Sequence, residues 1–324
     1  MKHFIPNELT QPEVHKILLG GVGPRPIALV STVSKNGVNN LTPFSFFNAF
    51  GSNPPVVAYS PSRRGKDASL KDTYNNLVET KECVINSVTY SMVEQISLAS
   101  TEYPPDVDEF LKSGLTPIDS DIIKPKRVSE SPFQMECKLL EMRSFGDGGA
   151  AANIAICEVL KFHVAEDIFV NGVIHPNKID LVARMSANFY CRAFGDAIFE
   201  IEKPIGKKGI GYDKLPDFIK KSFIYSANNL GKFGNTESIP SDKEVDDFIK
   251  QLNNEKPDTY EPGEDAFYRY QRDGNYNFML KAALEILVED KIRGKRLLEL
   301  SAKSSLESND TEFAWKTAMY AGRI

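Results

Sequence analysis

The sequence predicts a mainly β domain with inserted helices, closed into a barrel and followed by a helical extension. About seven short strand patterns, β-branched or aromatic and bounded by Gly, Pro, Asn or Asp, fall between residues 27 and 173. Polar-faced segments with apolar residues at helical spacing interrupt them. Beyond Pro204 the character changes to Gly-rich polar stretches alternating with helical periodicity. The expected division is therefore a barrel over 1–203 and an extension over 204–324.

In chain order, Thr10 and Glu13 form a capping box for a helix through Leu19, which Gly20, Gly21 and Gly23 should end. Residues 27–33 alternate branched and small side chains, Asn36-Gly37 supplies a hairpin turn, and 38–50 returns as one aromatic-rich strand. Further strands are expected over 56–59, 83–88, 133–142, 153–164 and 168–173. Helices are expected over 69–80, 91–99 and 107–113. In the extension, 242–252, 276–290 and 295–306 show helical periodicity. Leu280, Leu284 and Leu287 form one apolar stripe, which reads as a core face.

Composition narrows the function. The 324 residues are 41% hydrophobic, enough for a sizeable core. A net charge of -5 argues against nucleic-acid binding, which draws on a broad excess of Lys and Arg. Cys83, Cys137, Cys157 and Cys191 are far apart, form no CxxC pair and lie in or beside apolar segments. Reduced buried thiols and a cytoplasmic location are expected. The start, MKHFIPNELTQPEV, has no apolar signal core, and no run reaches the roughly 18 apolar residues of a membrane span, so no membrane association is expected.

The chemistry concentrates in one local cationic loop, 60–73, where Arg63, Arg64, Lys66 and Lys71 stand among Ser60, Ser62, Ser69 and Thr73. A phosphate monoester carries about two negative charges, and each charge-assisted hydrogen bond to it contributes roughly 1.5–3 kcal/mol. Two cations and two hydroxyls would hold one well, and a helix starting in this stretch would add its N-terminal dipole. On residue types alone a second reading stays open: a solvated loop in which Asp67 and Asp72 neutralise Lys66 and Lys71.

The motifs RPIALVST, NLTPFSFFNAFGSNPP and KDTYNN, followed by DVDEFLKSGLTP, SPFQMECKLL and ARMSANFY, occur in that order over roughly the first 200 residues. In this the chain resembles the flavin reductase-like proteins, which bind FMN on a split β-barrel. The resemblance implies that Ser60, Ser62, Arg63, Lys71, Asp72, Thr73 and Asn76 form the phosphate segment, with Arg64 and Lys66 beside them. A flavin ring needs an apolar wall and polar groups for its pyrimidine edge. Asn40, Thr42 and Ser45 suit the edge and Phe46 or Phe47 the wall, although PFSFF also reads as a strand with core aromatics. By alternation Phe44 and Phe46 should share one face and Ser45 and Phe47 the other.

The resemblance also places a late-strand histidine, His163, and an aromatic, Tyr190, near the flavin, and Arg184 is expected either to pair with the flavin or a nicotinamide phosphate or to bridge to a carboxylate on the barrel rim. A lone strand histidine is more often a structural hydrogen-bonder than a ligand or acid. Implied with these are hydride transfer from NADH or NADPH to FMN without a protein acid or base, and a homodimer with FMN at the subunit boundary. Electrons would leave to free flavin, a monooxygenase, an electron-transfer protein or a small acceptor. A flavoredoxin-like FMN electron carrier without nicotinamide activity is the alternative, and an interaction protein with a vestigial flavin site a third.

Two patterns are read as decoys. Gly146-Asp147-Gly148-Gly149-Ala150-Ala151 fits G-x-G-x-x-A but precedes a strand pattern, so a hairpin turn is expected rather than a dinucleotide fingerprint. With four histidines, no H-x-x-x-H and no CxxC, no dedicated zinc site is expected, and the absence of GxSxG removes a nucleophile-elbow hydrolase.

Overall fold

A computed structural model of the protein describes residues 1–201, 205–254 and 259–324. The chain divides into two compact units, Met1–Glu200 and Ile201–Ile324. The expected boundary at 203/204 lies outside the described residues.

The first unit is built on seven antiparallel strands: β1 (Ala28–Val33), β2 (Asn39–Phe44), β3 (Phe47–Ser52), β4 (Pro55–Tyr59), β5 (Glu82–Ser87), β6 (Phe133–Phe145) and β7 (Ala152–Val164). Their order in the sheet is β2-β1-β5-β6-β7-β4-β3. Strands β2 and β3 are thus the two edges, yet only Ser45 and Phe46 separate them in sequence. A link of two residues keeps the end of β2 close to the start of β3, so the sheet must curl round on itself, as in a barrel.

This corrects the expectation of one strand over 38–50. The segment breaks because its halves pair with different partners, Val30 with Thr42 on one side and Tyr59 with Phe47 on the other. The break also resets the alternation. Phe44 is buried and Phe47 packs against the same barrel core, whereas Phe46 is 40% exposed.

Strand β1 is apolar on both faces for a similar reason. Ala28 and Val30 enter the barrel core with Val57, Tyr59, Ile85 and Met135, while Leu29 joins Leu41, Met92, Ile96 and Phe110 on the outside. Three cysteines, Cys83, Cys137 and Cys157, are buried free thiols in the inner core, and Cys191 is a half-buried free thiol.

Helix α1 (Gln11–Gly21) has the expected capping box between Thr10 and Glu13. It runs past Leu19 to include Gly20 and Gly21, and its end is tied by the Arg25 guanidinium, which donates to the carbonyls of Leu19 and Val22. Helix α2 (Asp72–Thr80) starts three residues later than expected, because Ala68 takes φ +61 and the chain ahead of Lys71 is a turn. Helix α3 (Val93–Leu98) follows a 3-10 turn, and α4 (Glu109–Ser113) is capped by Asp108, which accepts from the Phe110 N–H. The strand expected over 168–173 is instead a small hairpin, Phe169–Val170 with Val173–Ile174. Asn171 and Gly172 sit between them at φ +51 and +78, a turn that only such residues adopt readily.

The second unit is helical: α5 (Ala227–Gly234), α6 (Asp242–Asn254), α7 (Glu264–Arg272), α8 (Tyr276–Glu289), α9 (Lys291–Glu307) and α10 (Thr311–Gly322) are its longer helices. Leu280, Leu284 and Leu287 pack with Phe267, Leu297, Leu298 and Phe313, so the stripe is a core face. Helices α5, α7 and α10 were not expected from the sequence. In α5 the glycines mask a strong start signal, the capping box of Ser226 with Asn229.

Candidate flavin-phosphate site

Loop 60–71 connects β4 to α2 and is held from three sides. Its own backbone closes it, the Arg64 N–H donating to the Ser69 carbonyl and the Ala68 N–H to the Arg64 carbonyl. The hairpin β6–β7 buttresses it: the Arg63 N–H donates to the Ala151 carbonyl (3.0 Å), and the Asn153 amide donates to the Pro61 carbonyl (3.2 Å). At the third point the Ser60 N–H donates to the Phe46 carbonyl at 2.9 Å. That bond brings the exposed Phe46 ring to the start of the loop, where it meets His15 edge-on.

Within the loop, the hydroxyls of Ser60 and Ser62 lie 2.9 Å apart. Arg63 donates through Nη1 to the Ala68 carbonyl (2.8 Å), but its Nε is buried with no protein partner among the described residues. A buried guanidinium N–H without an acceptor is costly, and a bound anion would supply one. Arg64, by contrast, is used internally, on the Leu70 carbonyl, Asp72 (3.1 Å) and Glu102 (3.6 Å). Lys71 lies half-buried, its ammonium 5.5 Å from the centre of the Phe44 ring. Burial and the neighbouring Arg64 lower its pKa against the opposing pull of Glu102 and Asp72. Asp72, bonded to Arg64, opens α2.

Other expected site residues turn inward. Asn40, Thr73 and Asn76 are buried: Thr73 Oγ1 donates to Asn40 Oδ1 (2.7 Å), Asn76 donates to Thr32 Oγ1 (3.2 Å), and Thr32 Oγ1 reaches Asn40 Oδ1 at 3.3 Å. The Asn40 amide donates to Glu109 Oε1, whose second oxygen accepts the Leu41 N–H. Burial raises the Glu109 pKa against these bonds. Glu109 stands 69 residues from Asn40, so no local pattern could have announced it. Thr42 and Ser45 are half-buried on and just after β2, and the core-packed Phe47 is half-buried at the start of β3.

The structure does not bring His163 to the loop. Ala155 of β7 pairs with Tyr59, next to Ser60, and His163 lies eight residues further along, roughly 25 Å at strand rise. There its Nε2 sits 2.7 Å from Glu136, a fully buried carboxylate that also accepts the N–H groups of Asp121 and Ile122. Burial pushes the Glu136 pKa up, but these hydrogen bonds outweigh it and hold the carboxyl below its ordinary value. Asp121, Glu136 and His163 are close enough to share a metal ion, but Lys161 already contacts Asp121 at 2.5 Å and Arg127 approaches it at 3.9 Å. The group reads as an ion-pair cluster.

Arg184 lies on β8 (Val182–Arg184) and Tyr190 on β9 (Tyr190–Arg192), which form a small sheet with Arg25–Pro26. The Arg184 guanidinium stacks 4.5 Å from the Tyr190 ring centre and donates to the Ala187 carbonyl. The segment 146–151 is the turn of the β6–β7 hairpin, with Phe145 paired to Ala152 and Gly146 at φ +88, as read from the sequence.

The family model of the flavin reductase like domain matches residues 21–178. An uncharacterized protein of Aquifex aeolicus is 36% identical over 199 residues, covering 61% of this chain and 99% of that protein. Component B of nitrilotriacetate monooxygenase from Bacillus cereus is similar in structure at a TM-score of 0.58 and 34% identity, covering 62% of this chain and 98% of that one. A protein with a split barrel domain from Shewanella frigidimarina follows at a TM-score of 0.54 and 25% identity, covering 63% and 100%.

Proposed function

Because this chain belongs to the flavin reductase-like family, we propose that it is an FMN-dependent oxidoreductase of flavin reductase type, drawing electrons from NADH or NADPH. The observation that carries the reading is the buried Nε of Arg63, which has no protein partner among the described residues, in a backbone-locked loop that also carries Ser60, Ser62 and Lys71. That donor set suits a phosphate monoester: two cations, two hydroxyls and a rigid frame.

In this reading Arg63, Lys71, Ser60 and Ser62 hold the phosphate. Asp72 keeps Arg64 in place. The buried chain Thr73–Asn40–Glu109, with Asn76 behind it, fixes the floor from within rather than touching the ligand. Phe46, tied to Ser60, offers the exposed aromatic wall, with Thr42 and Ser45 at its polar edge. When bound, FMN supplies the hydride chemistry by accepting two electrons from a reduced nicotinamide and passing them on. The protein's part is to orient the ring, so no acid or base is required of it, and His163 serves to position Glu136.

Likeness to a monooxygenase component supports delivery of electrons to a partner oxygenase, directly or through free reduced flavin. Helix α1 buries no side chain, and Ile17, Leu18, Phe50, Phe189 and Phe194 stand exposed, large apolar side chains of the kind a homodimer would cover.

The test is anaerobic titration of the FMN-loaded protein with NADH and then NADPH, following the oxidised-flavin absorbance. Rapid bleaching by either nucleotide is expected. Tight FMN binding without bleaching would replace the reductase with an electron carrier, and failure to bind FMN would overturn both.

A further inference from the structure

Segment 100–103, between α3 and α4, faces the phosphate loop across a polar recess of about 30 Å³. Arg64 and Lys71 contribute the cations to the recess, and Glu102 comes to it from the opposite segment. Glu102 Oε1 lies 3.6 Å from Arg64 Nε, and its side chain is 63% exposed, so it can leave without disturbing the core. Lys71 has no carboxylate at ion-pair distance among the described residues; Glu102 acts on it through space. Glu102 therefore adds, beside Asp72, a second and exposed negative charge to the part of the loop that holds Arg64 and Lys71.

We propose that Glu102 opposes capture of the FMN phosphate at Lys71, by lowering the positive potential around Arg64 and Lys71, and so sets how strongly the site prefers FMN over riboflavin and keeps FMN exchangeable. The inference rests on the flavin reading above. A carboxylate beside two cations lowers the local positive potential and repels a dianion, while a ligand without phosphate is indifferent to it. A protein that hands reduced flavin onward needs release as well as capture. An exposed acidic residue at the phosphate end supplies release without altering the ring seat.

The experiment measures dissociation constants of FMN and riboflavin for the full chain and for Glu102→Gln and Glu102→Asp. Glu102→Gln should bind FMN roughly three- to ten-fold more tightly, with slower FMN dissociation and unchanged riboflavin affinity, and the gain should shrink as salt rises. Glu102→Asp should keep the original ratio. Unchanged or weaker FMN binding in Glu102→Gln would overturn the proposal, as would an equal gain for riboflavin. If the unaltered protein bound FMN no better than riboflavin, the phosphate-loop reading would fail first, and this proposal with it.

Discussion

A Cβ at Gly149 would stand 2.6 Å from the carbonyl oxygen of Gly65, so the tip of the β6–β7 hairpin meets the phosphate loop backbone to backbone. The motif that imitates a dinucleotide fingerprint is thus a strut for the phosphate loop. Gly149→Ala forces the two backbones apart. We expect FMN affinity to fall about ten-fold, as the Arg63 bond to Ala151 lengthens, with a modest loss of thermal stability. Flavin fluorescence titration checks it; unaltered affinity would show that the loop adjusts.

Arg63→Leu removes the buried donor that lacks a protein acceptor. A charge-assisted hydrogen bond is worth roughly 1.5–3 kcal/mol, so FMN binding should weaken by about one to two orders of magnitude. Riboflavin, without the phosphate, should bind as before. The ratio of the two dissociation constants reads the effect and separates it from general loss of fold.

Glu136→Gln should destabilise the barrel unit by about 2–4 kcal/mol at neutral pH, because a buried carboxylate loses charged bonds to Asp121, Ile122 and His163. The sign with pH follows from a lowered pKa. The stabilisation is present above the ordinary glutamate value of 4.5 and is lost as pH falls through the lower folded value. Urea midpoints of the two proteins should therefore converge in acid. A gap that stayed constant as pH fell below 4.5 would contradict the assignment.

Phe233→Ala should cost about 3–5 kcal/mol in the helical unit. Phe233 is fully buried, with its ring centre 4.9 Å from that of Trp315 and 5.2 Å from that of Tyr225. Trp315 is the chain's single tryptophan, so its fluorescence reports this unit's unfolding directly.

Phe50→Asp combined with Phe189→Asp should yield a monomer in sedimentation equilibrium, since both rings are about 70% exposed in the single chain. An unchanged mass would place any self-association elsewhere.

The sequence by itself determined the barrel-then-helices order, the cationic, hydroxyl-rich character of loop 60–73, the hairpin at 146–151 and the core role of Leu280, Leu284 and Leu287. These rest on period-2 and period-3.6 alternation and on turn chemistry, which act over a few residues. The tertiary structure decided the rest, because each remaining fact depends on a distant partner. Pairing with β1 and β4 splits 38–50 and turns Phe47 inward with Phe44, against the alternation that a single strand would impose. Glu109 draws Asn40 into a buried network, His163 is carried to the far end of β7 against Glu136, and Glu102 reaches Arg64 from another segment. Residue type announces that a side chain can bind an anion; only the folded chain decides whether a carboxylate already stands in front of it.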